Sequence, residues 1–276
     1  MSKLQVFQAR SASDGAGVKI NRVSHMTNPT IMDPFLMLDE IYSDQAEDYI
    51  EGFPPHPHRG FETVTVMLKG QMRHQDHLGN NGLIGSGGGQ WMTTGRGVIH
   101  SEMPEQDDGL LHGFQLWLNL PAKDKLQPAR YKDMQAGDWF ETELDGLTIR
   151  GLGGTLVING HTFQAPIDSG KTQASVFTLA GRSGDELEVS HPNNQKFFVY
   201  VYQGAIQVQD TTYQRGSLLI LDDTKQVNLA MTEDSGLLVL SGQPLNEPVA
   251  QYGPFVMNTM DEVEQALRDY RNDNFV

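Results

Sequence analysis

Short apolar runs, rich in β-branched and aromatic residues, recur along this chain. They cover 61–70 (FETVTVMLKG), 112–121 (HGFQLWLNLP), 174–181 (ASVFTLAG), 196–210 (KFFVYVYQGAIQVQD), 216–223 (GSLLILDD) and 236–242 (GLLVLSG). Glycine, proline, asparagine or aspartate bounds each run, so each reads as a strand between turns. Many short strands at such intervals predict an all-β sandwich or barrel rather than βαβ units. A helical pattern appears only at 257–273 (MNTMDEVEQALRDYRND), with Thr259 as N-cap and acidic residues in the first turn. Val263, Leu267 and Tyr270 share one face of that helix, and the face is expected to pack on a barrel.

The strands fall into two sets, roughly 40–120 and 145–240, and 121–139 (PAKDKLQPARYKDMQAGDW) reads as a connection between domains. Each set contains a strand, a turn at Lys/Gln-Gly and a second strand: VMLKGQMRHQD in the first, VYVYQGAIQVQD in the second. That echo suggests two copies of one barrel. The expected domains are 1–133 and 134–276, the second ending in the helix.

Charge narrows the function. Lys+Arg of 20 against Asp+Glu of 35 gives a formal charge of −15, which repels nucleic-acid phosphates and anionic lipid, and no basic run offsets it. The absence of cysteine excludes disulfides, thiolate catalysis and Cys-ligated metal. The N-terminal stretch MSKLQVFQARSASDGAG lacks the apolar core of a signal peptide, and no window approaches a membrane span. A cytoplasmic protein is expected.

Chemistry concentrates in the histidines, of which there are nine. His56 and His58 are two apart, so on a strand they project from one face as a chelating pair. His100 and Glu102 repeat that parity after a glycine-rich hairpin. Two such pairs on facing strands bring three imidazoles and a carboxylate to one ion. Iron(II), manganese, nickel, copper or zinc suits that donor set, with net charge near +1 and one or two open positions. Glu62 shares the parity of His56 and His58 and competes with Glu102 as the carboxylate ligand.

The remaining polar residues read as structural. His74 and His77 are three apart in a hairpin and are expected at the surface. His112 is expected in the core or one layer out from the ligands. His25, His161 and His191 have no partner at ligand spacing, and Arg59 and Arg96 are expected to make salt bridges. The glycines of 85–89 lack the Lys-Ser/Thr and helix of a phosphate loop, and the Gly151 stretch fails the dinucleotide pattern. Phe53, Trp91, Met103 and Trp117 could wall an apolar cavity or fill an ordinary core. The second set has no His-x-His and is expected to be metal-free.

The spacing of both pairs resembles the cupin pattern, with Gly89, Gly95, Gly97 and His100 matching its second half and Gly95 standing where proline is usual. More closely, DPFLMLDE (33–40), FPPHPHRGFETVTVML (53–68), QWMTTGRGVIHSEMP (90–104), HGFQLWLNLP (112–121) and GPFVMNTMDEVEQALRDY (253–270) resemble the signature blocks of the pirin family. The resemblance implies a bicupin with one divalent transition metal, Fe(II) first among the five candidates, in the first barrel on His56, His58, His100 and Glu102. It leaves Glu62 outside the ligand set. Several pirins are described as quercetin 2,3-dioxygenases, which implies a flavonol and dioxygen as substrates and Glu102 as the group that takes the flavonol proton. Other pirins are described as transcription co-regulators or modulators of metabolic enzymes, which implies instead a regulatory protein with a protein partner.

Overall fold

The computed structural model describes residues 4–23, 30–190, 195–221 and 226–276. The chain is mostly β, as its patterning predicts, and divides into two units. One unit comprises residues 10–138 with 245–276, the other 1–9 with 139–244.

In the first unit a seven-stranded antiparallel sheet runs in the order Arg130–Met134, Gly89–Thr93, Phe61–Lys69, Leu111–Asn119, Phe35–Ser43, Val18–Arg22, Arg10–Asp14. A four-stranded sheet in the order Phe53–His58, Val98–Pro104, Met72–Asp76, Asn81–Ile84 completes the barrel. The second unit has its own seven-stranded sheet, and a six-stranded one that includes Glu186–Ser190, Gln226–Met231 and Ala205–Val208 as successive neighbours. The sequence echo is a real crossing in both. Gly70 (φ +91°) turns Phe61–Lys69 of the large sheet into Met72–Asp76 of the small one, and Gly204 (φ +68°) does the same between Lys196–Gln203 and Ala205–Val208. A side chain with a Cβ is strained at such φ, so glycine occupies both corners.

Two expectations about domain edges change. Within 121–139, Arg130–Met134 is an edge strand paired to Gly89–Thr93, so part of that segment closes the first sheet instead of linking barrels. The helix Met260–Arg271 groups with the first unit although it follows the second in sequence. Thr259 caps it as expected, and Glu262 reciprocates in a capping box. Its buried face is Val263 and Ala266, packed with Phe255, Met257 and Phe275. Tyr270 stays 39% exposed. Among the described residues no helix is long and apolar enough to cross a membrane.

Two buried cations fasten this segment to the first barrel. Arg59 donates from Nη1 to Asp269 (2.6 Å) and from Nη2 to the Phe275 carbonyl (3.1 Å), while Nε reaches the Arg96 carbonyl. Its guanidinium also lies over the Phe275 ring. Lys125, 1% exposed, donates to the Gly60 carbonyl (2.8 Å), Asn119 Oδ1 (2.6 Å) and the Val256 carbonyl (3.1 Å).

Candidate metal centre

His56 and His58 stand on the edge strand of the small sheet, and His100 on its neighbour, directly opposite His56 in register. The three imidazoles meet: one ligand nitrogen from each lies within 4.8 Å of the others. His56 Nε2 and His58 Nε2 are 3.0 Å apart. At a metal–nitrogen distance of ~2.1 Å, two adjacent ligand nitrogens at a right angle lie about 3 Å apart. The pair already has a chelating separation.

Hydrogen bonds on the far side of the rings orient them. His56 Nδ1 is 2.8 Å from the Pro54 carbonyl, which can only accept, so Nδ1 carries the proton and Nε2 presents a lone pair. His100 Nδ1 is 2.8 Å from His74 Nε2. With Nδ1 as donor, the lone pair of His100 sits on Nε2, a buried atom with no hydrogen-bond partner among the described residues. Phe61 and Trp117 meet the His58 ring edge-on at 5.1 and 5.4 Å and fix its plane. Burial lowers the pKa of all three imidazoles, and those of His58 and His100 fall well below the usual value. They are neutral donors at pH 7, as a divalent metal requires. The donor set therefore fits a borderline transition metal.

Glu102 is buried beside this cluster but does not enter the three-imidazole group. The strand register shifts between His100 and Glu102. Its Oε1 lies 3.4 Å from Thr65 Oγ1, whose single proton is shared between Glu102 and Gln115 Oε1, 2.8 Å away. Burial raises the Glu102 carboxyl to about 7, against the pull of hydrogen bonds from Thr65 and Gln115. Glu102 opens with His56 and His58 onto a cavity of about 780 Å³, walled in part by Phe53, Pro54, Met37 and Trp117. Trp91 and Met103, the other two candidates for an apolar wall, are not among its lining residues.

Glu62 faces elsewhere. Its carboxylate accepts from Trp91 Nε1 (2.9 Å) and Thr93 Oγ1 (2.5 Å), both on the adjacent strand. Thr65 and Met67 line the cavity, so residues of even number on Phe61–Lys69 project from its opposite face. Parity with His56 fails because the chain breaks strand at Arg59–Gly60. There Gly60 adopts φ +93°, and a Cβ would press on the Met257 sulfur at 2.8 Å.

His74 is the residue that sequence reasoning misplaced. It is 1% exposed, sits opposite Glu102 on Met72–Asp76 and bonds His100. The signal was present: in Met72-Arg73-His74 the apolar Met72 shares parity with His74, and both point inward. His77 is exposed, as expected. His112 is buried and meets Glu40 Oε1 at 2.9 Å. Arg59 makes the ion pair expected of it, Arg96 is exposed, and His161 lies at the surface. His25 and His191 lie outside the described residues.

The cavity's other polar wall carries an ion pair. Arg22 Nε and Nη2 donate to Asp39 at 2.6–3.2 Å, and Nη2 also reaches Asp14. Burial pushes the Asp39 carboxyl up and Arg22 pulls it back, while Asp39 holds the guanidinium charged.

Comparison with known proteins places the chain in a family. The family model Pirin matches residues 17–118, and that of the pirin C-terminal cupin domain matches 176–276. A Vibrio cholerae protein provisionally named a quercetin 2,3-dioxygenase is 43% identical over 273 residues, covering 98% of this chain and 96% of its own. The crystal structure of a quercetin 2,3-dioxygenase from Acinetobacter baumannii superposes with a TM-score of 0.89 at 33% identity, covering 100% of this chain and 98% of that one. A nickel(II)-bound bacterial pirin from Escherichia coli shares the fold, with a TM-score of 0.64 at 17% identity over 88% of this chain and 99% of its own. The chain belongs to the pirin family, with a cupin barrel in each half and a histidine cluster in the first that can hold a metal.

Proposed function

We propose that this protein is a metal-dependent dioxygenase that opens flavonols such as quercetin. The observation that carries the reading is three neutral imidazole donors converging at a largely apolar cavity that also exposes a buried carboxylate. The likeness to the Acinetobacter quercetin 2,3-dioxygenase supports it. His56, His58 and His100, with Glu102 as the fourth ligand, would hold one divalent ion, iron(II) first among the candidates. When bound, such an ion supplies Lewis acidity toward an enolate oxygen and redox access to dioxygen.

The chain's own residues do the rest. Phe53, Met37 and Trp117 give a flat aromatic substrate an apolar slot and keep water from it. Glu102 takes the proton of the flavonol 3-hydroxyl at a carboxylate oxygen, held toward the cavity by Thr65 and Gln115. Loss of that proton makes the ring electron-rich enough for dioxygen to attack. Quercetin and one dioxygen become carbon monoxide, which carries away C3 with the oxygen of its own hydroxyl, and the ring-opened ester, which keeps both oxygen atoms of the dioxygen.

The test is an oxygen-electrode assay on protein loaded with iron(II) without air. Oxygen uptake should match quercetin loss and release of carbon monoxide, and should stop on chelation and in His58→Ala. A metal-loaded protein that leaves quercetin intact overturns the reading, and metal-dependent binding to a protein partner then becomes the function to test.

A further inference from the structure

The large sheet carries a polar row across its cavity face. Arg22 pairs with Asp39, Asp39 with Gln115, and Gln115 with Thr65, on four successive strands. Side chains at paired positions share a face, and all four residues line the cavity. Thr65 ends the row at Glu102, where the proton transfer is placed. At ~4.8 Å per strand, Asp39 lies about 10 Å further along the sheet. Around that far end the wall is apolar, formed by Ile20, Met37 and Ile41.

An ion pair in such a wall is costly to desolvate and is a weak stabiliser, so a binding role explains its placement better than cohesion does. Asp39 is 4% exposed, and its two oxygens take three contacts from Arg22, which leaves acceptor capacity. Arg22 uses Nε and Nη2, and its Nη1 makes no bond among the described residues. A charged donor and a charged acceptor thus stand side by side. Asp14 joins them, so two carboxylates against one guanidinium leave the patch net negative.

We propose that Arg22 and Asp39 form a subsite that reads vicinal hydroxyls on the ring of the substrate remote from the reacting centre. One hydroxyl donates to Asp39, and its neighbour accepts from Arg22 Nη1. The negative balance favours a neutral catechol over a ring bearing a carboxylate. This inference rests on the flavonol reading and specifies which flavonols the cavity prefers.

The experiment titrates metal-loaded protein, without oxygen, with galangin, kaempferol and quercetin, which carry none, one and two hydroxyls on the pendant ring. Binding is read by calorimetry and by quenching of tryptophan fluorescence, Trp117 being in the cavity wall. Quercetin should bind ~10–100-fold more tightly than galangin, the range for hydrogen bonds to charged groups. In Asp39→Asn and Arg22→Met the quercetin-to-galangin ratio should collapse toward one. Because a single substitution strands a buried charge, the double variant Arg22→Met/Asp39→Leu, which removes both, should give the same collapse in a folded protein. A ratio near one in the wild type, or one unchanged in the variants, overturns the subsite. Wild-type protein that opens all three flavonols without discrimination refutes the subsite and leaves the dioxygenase reading standing. Discriminating binding without turnover of any of them does the reverse.

Discussion

In the small sheet of the second barrel, the inward positions of Glu186–Ser190 are Leu187 and Val189, and those of Gln226–Met231 are Val227, Leu229 and Met231. The strands in the same places in the first barrel, Phe53–His58 and Val98–Pro104, put His56, His58, His100 and Glu102 there. The next strand contributes Ile206 and Val208 to the second barrel, but Met72 and His74 to the first. One strand plan therefore serves two ends. The second barrel fills these interior positions with apolar side chains, packed with Phe177 and Phe197. The first substitutes imidazoles and a carboxylate, keeps a small apolar cluster around Ile20, Ile41 and Met67, and leaves a cavity. A barrel core and a barrel site are alternative uses of the same inward positions.

The sharpest way to break this comparison is to truncate one inward residue in each barrel. His100→Ala should reduce bound metal from about one per chain to near zero by elemental analysis. Leu229→Ala should leave metal content intact and destabilise the fold by ~2–5 kcal/mol in chemical denaturation. Metal retained by His100→Ala dissolves the distinction. The two buried glutamates come next. Glu102→Gln should lower metal occupancy severalfold and abolish flavonol turnover. Glu62→Gln, on the opposite face of its strand, should change only stability, by ~1–3 kcal/mol through its bonds to Trp91 and Thr93. Equal metal loss in both would show that the carboxylates are not separated as the strand faces imply.

A finer test probes His74. Removing the partner of a metal-bound imidazole costs ~10–100-fold in metal affinity, so His74→Ala should show that loss in a chelator competition. His77→Ala, exposed three residues on, should show none. The smallest effect concerns Lys125. Burial lowers its pKa from 10.5 to about 8. Between those values the unfolded chain holds a proton that the folded chain has released, so stability rises with pH. Wild-type stability should climb by ~1–3 kcal/mol from pH 8 to 10.5 relative to Lys125→Met. A parallel pair of curves would show the ammonium fully compensated by its three acceptors.

Local alternation made the architecture legible. Strands such as Phe61–Lys69 and Lys196–Gln203 carry it in their own residues, and so does the Thr259 cap of the helix. Local parity also brought His56, His58 and His100 forward. What stayed hidden depends on partners distant in the chain. Parity could not follow the backbone through Gly60, so Glu62 looked equivalent to the histidines. The edge strand Arg130–Met134 is polar and declares itself only against Gly89–Thr93. The i,i+3 spacing of His74 and His77 points to a surface hairpin, whereas the alternation of His74 with Met72 points inward. The helix was placed with its sequence neighbours, whereas Arg59 and Lys125, more than a hundred residues upstream, hold its segment.

That returning segment sets an order of assembly. Val249, Gln251, Gly253 and Pro254 supply part of the cavity wall, yet the ribosome makes them only after the entire second barrel. A nascent chain can carry all three histidines and still present an open-sided pocket, with Arg59 lacking Asp269 and Lys125 lacking the Val256 carbonyl. Metal captured during synthesis would meet an unfinished site exposed to water. The wall is complete only once residues 249–254 have joined the first barrel, so the site closes after the second barrel has been made rather than before it.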